Sequence, residues 1–345
     1  MYRFLKPLLF CLDAETSHNL VMQSLSVASG SSLAGKTLAA LTTARNANSP
    51  VETMGLKFPN PVGLAPGLDK QGNAANALSQ LGFGFVEMGT VTPLPQAGNP
   101  RPRIFRLRQH NALINRMGFN SVGLEKFLSN VASTRPGIIK GINIGKNAAT
   151  PMAGAIDDYL IGLRAVYQCA AYIAINISSP NTKNLRDLQN DDALNDLLKA
   201  LHHQRLELTD STGIRKPLVL KIAPDIDAHQ IHTIANLARK YKIDGIAATN
   251  TTITRDGVEQ HTLAAEPGGL SGAPLKDKAT AVVHALCQTL DQEIPVIGVG
   301  GVEDANSAME KFQAGAKLIQ VYTGFIYQGP ALIHEIITEY SHQYR

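Results

Sequence analysis

At 345 residues the chain can bury a large core as one oversized domain or two ordinary ones, and it is no small stapled module. Its 44% hydrophobic and 17% charged residues exclude disorder for the bulk of its length. A net charge of +4 spread over this length does not indicate nucleic acid, while Cys11, Cys169 and Cys287 are too scattered for a disulfide framework or a metal-binding spacing and fit a reducing, cytosol-facing location.

In the first fifty residues no window approaches the roughly 20 apolar residues a spanning helix needs. The run Leu8 to Leu12 follows Pro7 and stops at Asp13. Arg3 and Lys6 precede it as in a secretory signal, but the run is short and Asp13 and Glu15 follow directly, so the segment reads as retained. A helical hairpin is expected, with helices near Ala14 to Ala28 and Leu33 to Leu41 around a Gly30-Ser31-Ser32 connector. Two readings stand: a cap packed on the main domain, or an interfacial element whose Leu5, Leu8, Leu9, Phe10 and Leu12 enter lipid while Arg3 and Lys6 meet headgroups.

From Pro61 onward short β-branched runs alternate with stretches of helical period, the signature of a parallel α/β fold. Strands are expected over Pro61 to Ala65, Phe83 to Gly89, Ile138 to Ile144, Ala171 to Ser178, Pro217 to Ala223, Gly245 to Thr249, Pro295 to Val299 and Leu318 to Tyr322. Helices are expected over Asn73 to Leu81, Val122 to Ala132, Ile156 to Gln168, Asp191 to Leu208, Ala228 to Tyr241, Lys276 to Leu290, Asp304 to Ala314 and Ala331 to Tyr340. Eight such units suit a (β/α)8 TIM barrel better than an open doubly wound sheet. A dinucleotide sheet should carry G-x-G-x-x-G after its first strand, where this chain reads Pro66-Gly67-Leu68-Asp69-Lys70-Gln71-Gly72. Two connections, Thr90 to Ser121 and Asn250 to Leu275, are unusually long.

A barrel gathers its active site at the carboxyl ends of its strands. The exits here carry Asp69 and Lys70, then Thr90, Asn143, and the set Asn176, Ser178, Ser179 and Asn181. They continue with Lys221, Thr249, Asn250 and Thr251, then Gly300 and Gly301, then Tyr322 and Thr323. Amides, hydroxyls and two lysines with no histidine cluster and no paired carboxylates suit a planar, anionic, multiply hydrogen-bonded ligand, and no metal is expected. Lys221 in Val-Leu-Lys-Ile-Ala could snorkel from an edge, but a central parallel strand is buried on both faces, which favours an inward functional charge. Asn176 between two isoleucines needs partners from a ligand or a structural network, and Gly300-Gly301 can be a plain turn or let backbone N–H groups approach a phosphate.

At four stretches the residues become recognisable: Asn115-Arg116-Met117-Gly118-Phe119-Asn120, Asn176-Ile177-Ser178-Ser179-Pro180-Asn181-Thr182, Lys221-Ile222-Ala223-Pro224-Asp225 and Thr249-Asn250-Thr251-Thr252. With Gly67-Leu68-Asp69-Lys70 they closely resemble the dihydroorotate dehydrogenases of the membrane-associated, quinone-reducing class, in order and from the N-terminal extension to the final helix. The resemblance implies bound FMN, oxidation of (S)-dihydroorotate to orotate in pyrimidine biosynthesis, and ubiquinone or menaquinone as acceptor. It implies flavin contacts at Pro66, Gly67, Lys70, Thr90, Asn143, Asn176, Lys221, Thr249, Gly272, Gly301, Tyr322 and Thr323. Substrate contacts would be Lys70, Asn115, Arg116, Met117, Gly118, Phe119, Asn176, Asn181, Asn250 and Thr251. Pro66 departs from relatives that often carry a small Ala there, a minor change at a backbone contact.

The resemblance places the catalytic base at Ser179, whereas strict strand alternation would put Ser178 on the face shared with Asn176. Relatives of the soluble class use cysteine at the base position, and none of the three cysteines lies at a strand exit. The loop through Asn115 to Asn120 is expected to act as a lid. The resemblance also shifts the N-terminal reading toward the interface: residues 1–50 as a membrane- and quinone-associated helical hairpin, residues 51–345 as the FMN-binding barrel. The protein is then expected to be a monomer, peripheral on the cytoplasmic side of the inner membrane if bacterial. Other FMN barrels, such as a dihydropyrimidine or dihydrouridine reductase, are the nearest alternative. Arg101, Arg103, Arg106, Arg108 and Arg116 prompt a nucleic-acid reading, but with only Phe105 and Phe119 among them and no Trp in the chain there is no stacking set, and nucleic acid is not expected as a partner.

Overall fold

The computed structural model describes residues 2–31 and 49–344. Its centre is a closed barrel of eight parallel strands, Val62–Leu64, Phe85–Val91, Ile139–Ile144, Tyr172–Asn176, Leu218–Ile222, Gly245–Ala248, Val296–Val299 and Leu318–Val321. The last strand closes on the first through Ile319 opposite Val62. Every strand and every barrel helix expected from the sequence is present within a few residues of its expected span.

The barrel closes because its interior is filled in a way small residues permit. A Cβ on Gly63 would lie 2.2 Å from the Phe85 ring, and one on Gly141 2.3 Å from the Tyr172 ring, so glycine on one strand makes room for the aromatic of the next. Phe85 and Tyr172 pack edge to face at 6.3 Å, and Phe58 meets Phe85 at 5.1 Å. Phe58 belongs to an antiparallel hairpin, Val51–Thr53 with Leu56–Phe58, whose Val51, Met54 and Leu56 pack against this inner layer. A larger apolar layer lies between the strands and the surrounding helices.

The two long connections are not loops. Ile104–Leu107, Ala112–Asn115 and Gly269–Gly272 form a three-stranded antiparallel sheet, pairing segments about 155 residues apart in sequence. Asn111, at φ 45°, makes the turn between the first two strands. A helix at Thr323–Gln328 was likewise not expected.

The first helix of the expected N-terminal hairpin is present, and a further helix precedes it. Helix α1 spans Tyr2–Cys11 through the apolar run that the sequence left without an element, and α2 spans Ala14–Ser29, capped by Asp13 accepting from the Glu15 and Thr16 amides at 3.0 Å. The expected helix at Leu33 to Leu41 falls outside the described residues. No helix among the described residues is long and apolar enough to cross a membrane. Arginines of the small sheet hold this pair: Arg103 donates to Glu15 at 2.8 Å, Arg106 to the Leu9 and Leu12 carbonyls, and Arg108 to the Phe10 carbonyl.

Candidate active site

One cavity opens at the strand exits, with about 1080 Å³ of atom-free space including its mouth. Pro66, Gly67 and Lys70 come from the first exit, Thr90 from the second, Asn176, Ser179 and Asn181 from the fourth and Lys221 from the fifth. The sixth supplies Thr249, Asn250 and Thr251, the seventh Gly301, and the eighth Tyr322 and Thr323. The small sheet supplies Asn115 and Gly272 as a roof, and Met117, Gly118 and Phe119 follow it. Residues spread over more than 250 positions therefore share one space.

Two of the expected contacts do not line it. Asn143 is fully buried one layer back, where its oxygen accepts from Thr90 and from Asn176 Nδ2 at 3.1 Å. Arg116 turns away from the cavity: its guanidinium lies 2.6 Å from Glu266 and stacks 4.6 Å above the Phe105 ring. Its neighbour Asn115 ends the strand and lines the cavity. The segment Arg116 to Phe119 is a braced wall, since its backbone bonds to Arg103 O, Asn99 N, Asn99 Nδ2 and Gln96 Nε2. That bracing does not suit a hinged lid.

Of the two serines, Ser178 is wholly buried, donating to Asn176 Oδ1 at 3.1 Å and accepting from Asn250 Nδ2 at 2.9 Å. Ser179 faces the cavity, its hydroxyl oxygen accepting from the Asn181 amide at 3.2 Å. The chain has left the strand at Asn176, so alternation no longer applies. Arg186 fixes this exit, donating to the Ser178 carbonyl at 3.1 Å, the Thr251 carbonyl at 2.8 Å and Asp225 at 2.9 Å.

Burial lowers the Lys221 ammonium below its ordinary range, with Glu87 opposing. Burial also lowers Lys70, to about 8, with Arg103 adding repulsion and Glu15 opposing. Among the described residues neither lysine forms an ion pair with a carboxylate. Asp69, at the same exit as Lys70, braces the turn instead, its carboxylate accepting from the amides of Gly72, Asn73 and Ala74. None of the three cysteines lines the cavity.

Sequence reasoning missed Gln320 and Ser271, which line the cavity, and Glu87 and Tyr172, which lie fully buried beneath it. The signal for Glu87 was present as a lone acidic residue in an otherwise apolar central strand. On α2, outside the cavity lining, burial first and then Lys70 lower the His18 imidazole to about 4, with Glu15 opposing.

The donor set fits a flavin mononucleotide. Gln320 Oε1 and Thr251 Oγ1 are buried without a partner at lining residues, an inward ammonium is left unpaired, and Gly67, Gly272, Gly300 and Gly301 line the space with bare backbone. Among the described residues no group of three or more His, Cys, Asp or Glu is placed to hold a metal ion.

Residues 49–343 match the family model described as dihydroorotate dehydrogenase. The chain is 53% identical over 335 residues to a dihydroorotate dehydrogenase (quinone) of Nitrosomonas eutropha, covering 97% of this chain and 96% of that one. It is 52% identical, with the same coverage, to the protein of that name from Chromobacterium violaceum. Its fold is similar to the ligand-free crystal structure of DHODH from Eimeria tenella, at a TM-score of 0.86 and 36% identity, covering 95% of this chain and 94% of that one.

Proposed function

This chain belongs to the dihydroorotate dehydrogenase family, and on that premise we propose that the barrel-mouth cavity is where its FMN and dihydroorotate meet. The protein is a quinone-dependent dihydroorotate dehydrogenase: it oxidises dihydroorotate to orotate in pyrimidine biosynthesis and passes the electrons to a quinone. The observation that carries the site assignment is the convergence of Lys70, Ser179 and Lys221 on one cavity walled by amides.

Oxidation removes a proton from C5 of the ring and a hydride from C6. FMN, when bound, supplies the hydride acceptor and the onward path of the electrons. Ser179 takes the C5 proton, and a serine can do so only when the cavity is shut to bulk water and its own proton has a way out. Lys221 opposes negative charge on the cofactor ring, and its buried position makes that charge count for more than it would in water. Lys70, Asn115, Asn181, Asn250 and Thr251 orient the pyrimidine and its carboxylate. Bare backbone at Gly272 and Gly301 and the amides of Tyr322 and Thr323 receive the phosphate. Thr90 and Asn176 complete the ring pocket, with Asn143 steadying them from behind.

The N-terminal pair supplies the route for the quinone. Residues 1–50 act as the membrane-facing unit and residues 51–345 as the catalytic barrel. Phe4 at 83% exposure, Leu8 at 68% and Val27 at 77% present apolar surface that water does not favour. Attachment is peripheral, from the cytoplasmic side, with a single copy of the chain sufficient.

The test is colour. Purified protein should carry FMN near one per chain, anaerobic dihydroorotate should bleach it, and NADH should not. Protein that cannot be loaded with FMN, or that dihydropyrimidines other than dihydroorotate bleach equally well, would move the chain to a different flavin barrel.

A further inference from the structure

Among the described residues Glu87 is the carboxylate buried inside the barrel beneath the cavity, and the proton and hydride transfers do not use it. It is fully enclosed, and all its bonds are received: Asn143 Nδ2 at 2.8 Å on one oxygen, Tyr172 OH at 2.8 Å and Gln320 Nε2 at 2.6 Å on the other. A carboxylate has no donor, so both amides must turn their nitrogens toward it and their oxygens away.

That choice propagates. Asn143 Oδ1 can then only accept, and it takes the Thr90 hydroxyl and Asn176 Nδ2. Asn176 Oδ1 in turn accepts from Ser178 Oγ at 3.1 Å, from Asn250 Nδ2 at 3.4 Å and from the Ser178 backbone amide at 3.3 Å, and Asn250 Oδ1 accepts from the Thr251 backbone amide at 2.8 Å, so the backbone holds both amides in the direction that matches Asn143. On the other branch Gln320 is left with its oxygen buried and unpartnered at the cavity. We propose that Glu87 is the positioning residue that sets the direction of the Asn143 and Gln320 amides, and so decides whether Thr90 and Asn176 find an acceptor behind them and which Gln320 atom faces the cavity. Thr90, Asn176 and Gln320 all line the cavity, so one buried carboxylate reaches the hydrogen-bond pattern that the ligands meet.

A neutral isostere cannot hold both branches. Gln at position 87 carries one NH2 end. Facing Asn143, it meets a donor and forces that amide to reverse, which sets its nitrogen against Asn176 Nδ2, an amide the Ser178 backbone holds in place; facing Gln320, it reverses that amide and turns a nitrogen into the cavity. Adding Asn143→Asp to Glu87→Gln restores the native direction throughout, because the new glutamine donates to Asp at 143 and accepts from Gln320 and Tyr172.

The inference rests on the FMN and orotate reading, which wild-type binding tests separately. Dissociation constants for FMN and for orotate, the latter from the flavin absorbance shift, are measured for wild type, Glu87→Gln, the double variant and Tyr172→Phe, with the flavin midpoint potential alongside. Glu87→Gln should weaken at least one ligand by about fivefold or more, the double variant should return it to within about threefold of wild type, and Tyr172→Phe, which removes a donor without reversing any amide, should stay within about threefold. Smaller losses in Glu87→Gln, no recovery in the double variant, or an equal loss in Tyr172→Phe would overturn the proposal. A raised potential with unchanged affinities would instead make Glu87 a plain counter-charge to Lys221. If Glu87→Gln does not fold, the double variant decides alone: folded and binding within about threefold of wild type supports the proposal, and anything weaker contradicts it.

Discussion

The barrel mouth and the N-terminal helices solve opposite problems. At the mouth, polar groups point inward and the asparagines and hydroxyls of the fourth and sixth exits are bonded to one another before any ligand arrives, so recognition is built into a braced scaffold. On α1 and α2, several apolar groups point outward, and arginines gripping helix carbonyls and one carboxylate join Ser29, Phe10, Met22 and Leu25 in attaching the pair to the barrel. The contrast accords with the proposal that one chain serves a water-soluble acid at the mouth and a lipid-soluble quinone at the helices: the first needs fixed polarity, the second an apolar surface.

The comparison breaks first at Ser179. Ser179→Ala, with normal flavin content, should slow anaerobic bleaching by dihydroorotate by about 10²- to 10⁴-fold, while Ser178→Ala should cost far less, as stopped-flow absorbance would show. Near-normal bleaching in Ser179→Ala would move the base elsewhere. Removing residues 1–45 should separate the two regions completely: quinone reduction and vesicle flotation are lost, whereas dihydroorotate still bleaches the flavin. Unchanged quinone turnover would contradict the division.

Lys70 tests the polar region by pH. Its ammonium is the charged form below about 8, so orotate affinity should be flat below that value and fall as pH rises through it, by up to about tenfold per unit, in a spectral titration. A flat profile to about pH 9.5 would remove Lys70 from carboxylate binding.

The smallest effect concerns the grip on α2. Burial would raise the Glu15 carboxyl, but its bonds and charge interactions with Arg103 and Arg101 outweigh burial and leave it lowered. A group whose folded value is depressed stabilises above its unfolded value and loses that contribution as pH falls through the folded one. Hydrogen exchange in residues 14–29 should therefore stay slow through the ordinary carboxylate range and quicken only below it. Arg103→Ala should show the fast exchange already at pH 7, with bleaching by dihydroorotate little changed. Slow exchange in that variant would mean that other contacts hold the helix.

Much of the mouth could be read from the chain because parallel strands buried on both faces leave an unambiguous apolar signal, and a polar residue at such a strand's end has only one place to go. Lys221 and Asn176 are examples. The small roof sheet was not legible, since Ile104–Leu107 and Gly269–Gly272 are four-residue strands whose partners are distant in sequence, and no local pattern records such pairing. Helix α1 was hidden by Pro7, which argues against a helix at the position where α1 carries it. Arg116 and Asn143 show the remaining limit: a motif tells which residues gather, but side-chain direction at a strand end and depth behind a wall are set by neighbours the motif does not contain.

Cofactor and substrate must meet in one place for this chemistry, and a crystal structure of the protein loaded with FMN and orotate tests that most directly. Both molecules should occupy the barrel-mouth cavity, with Lys221 in contact with the flavin and Ser179 in contact with the pyrimidine. Density for either molecule elsewhere, or a pyrimidine out of reach of Ser179, would contradict it.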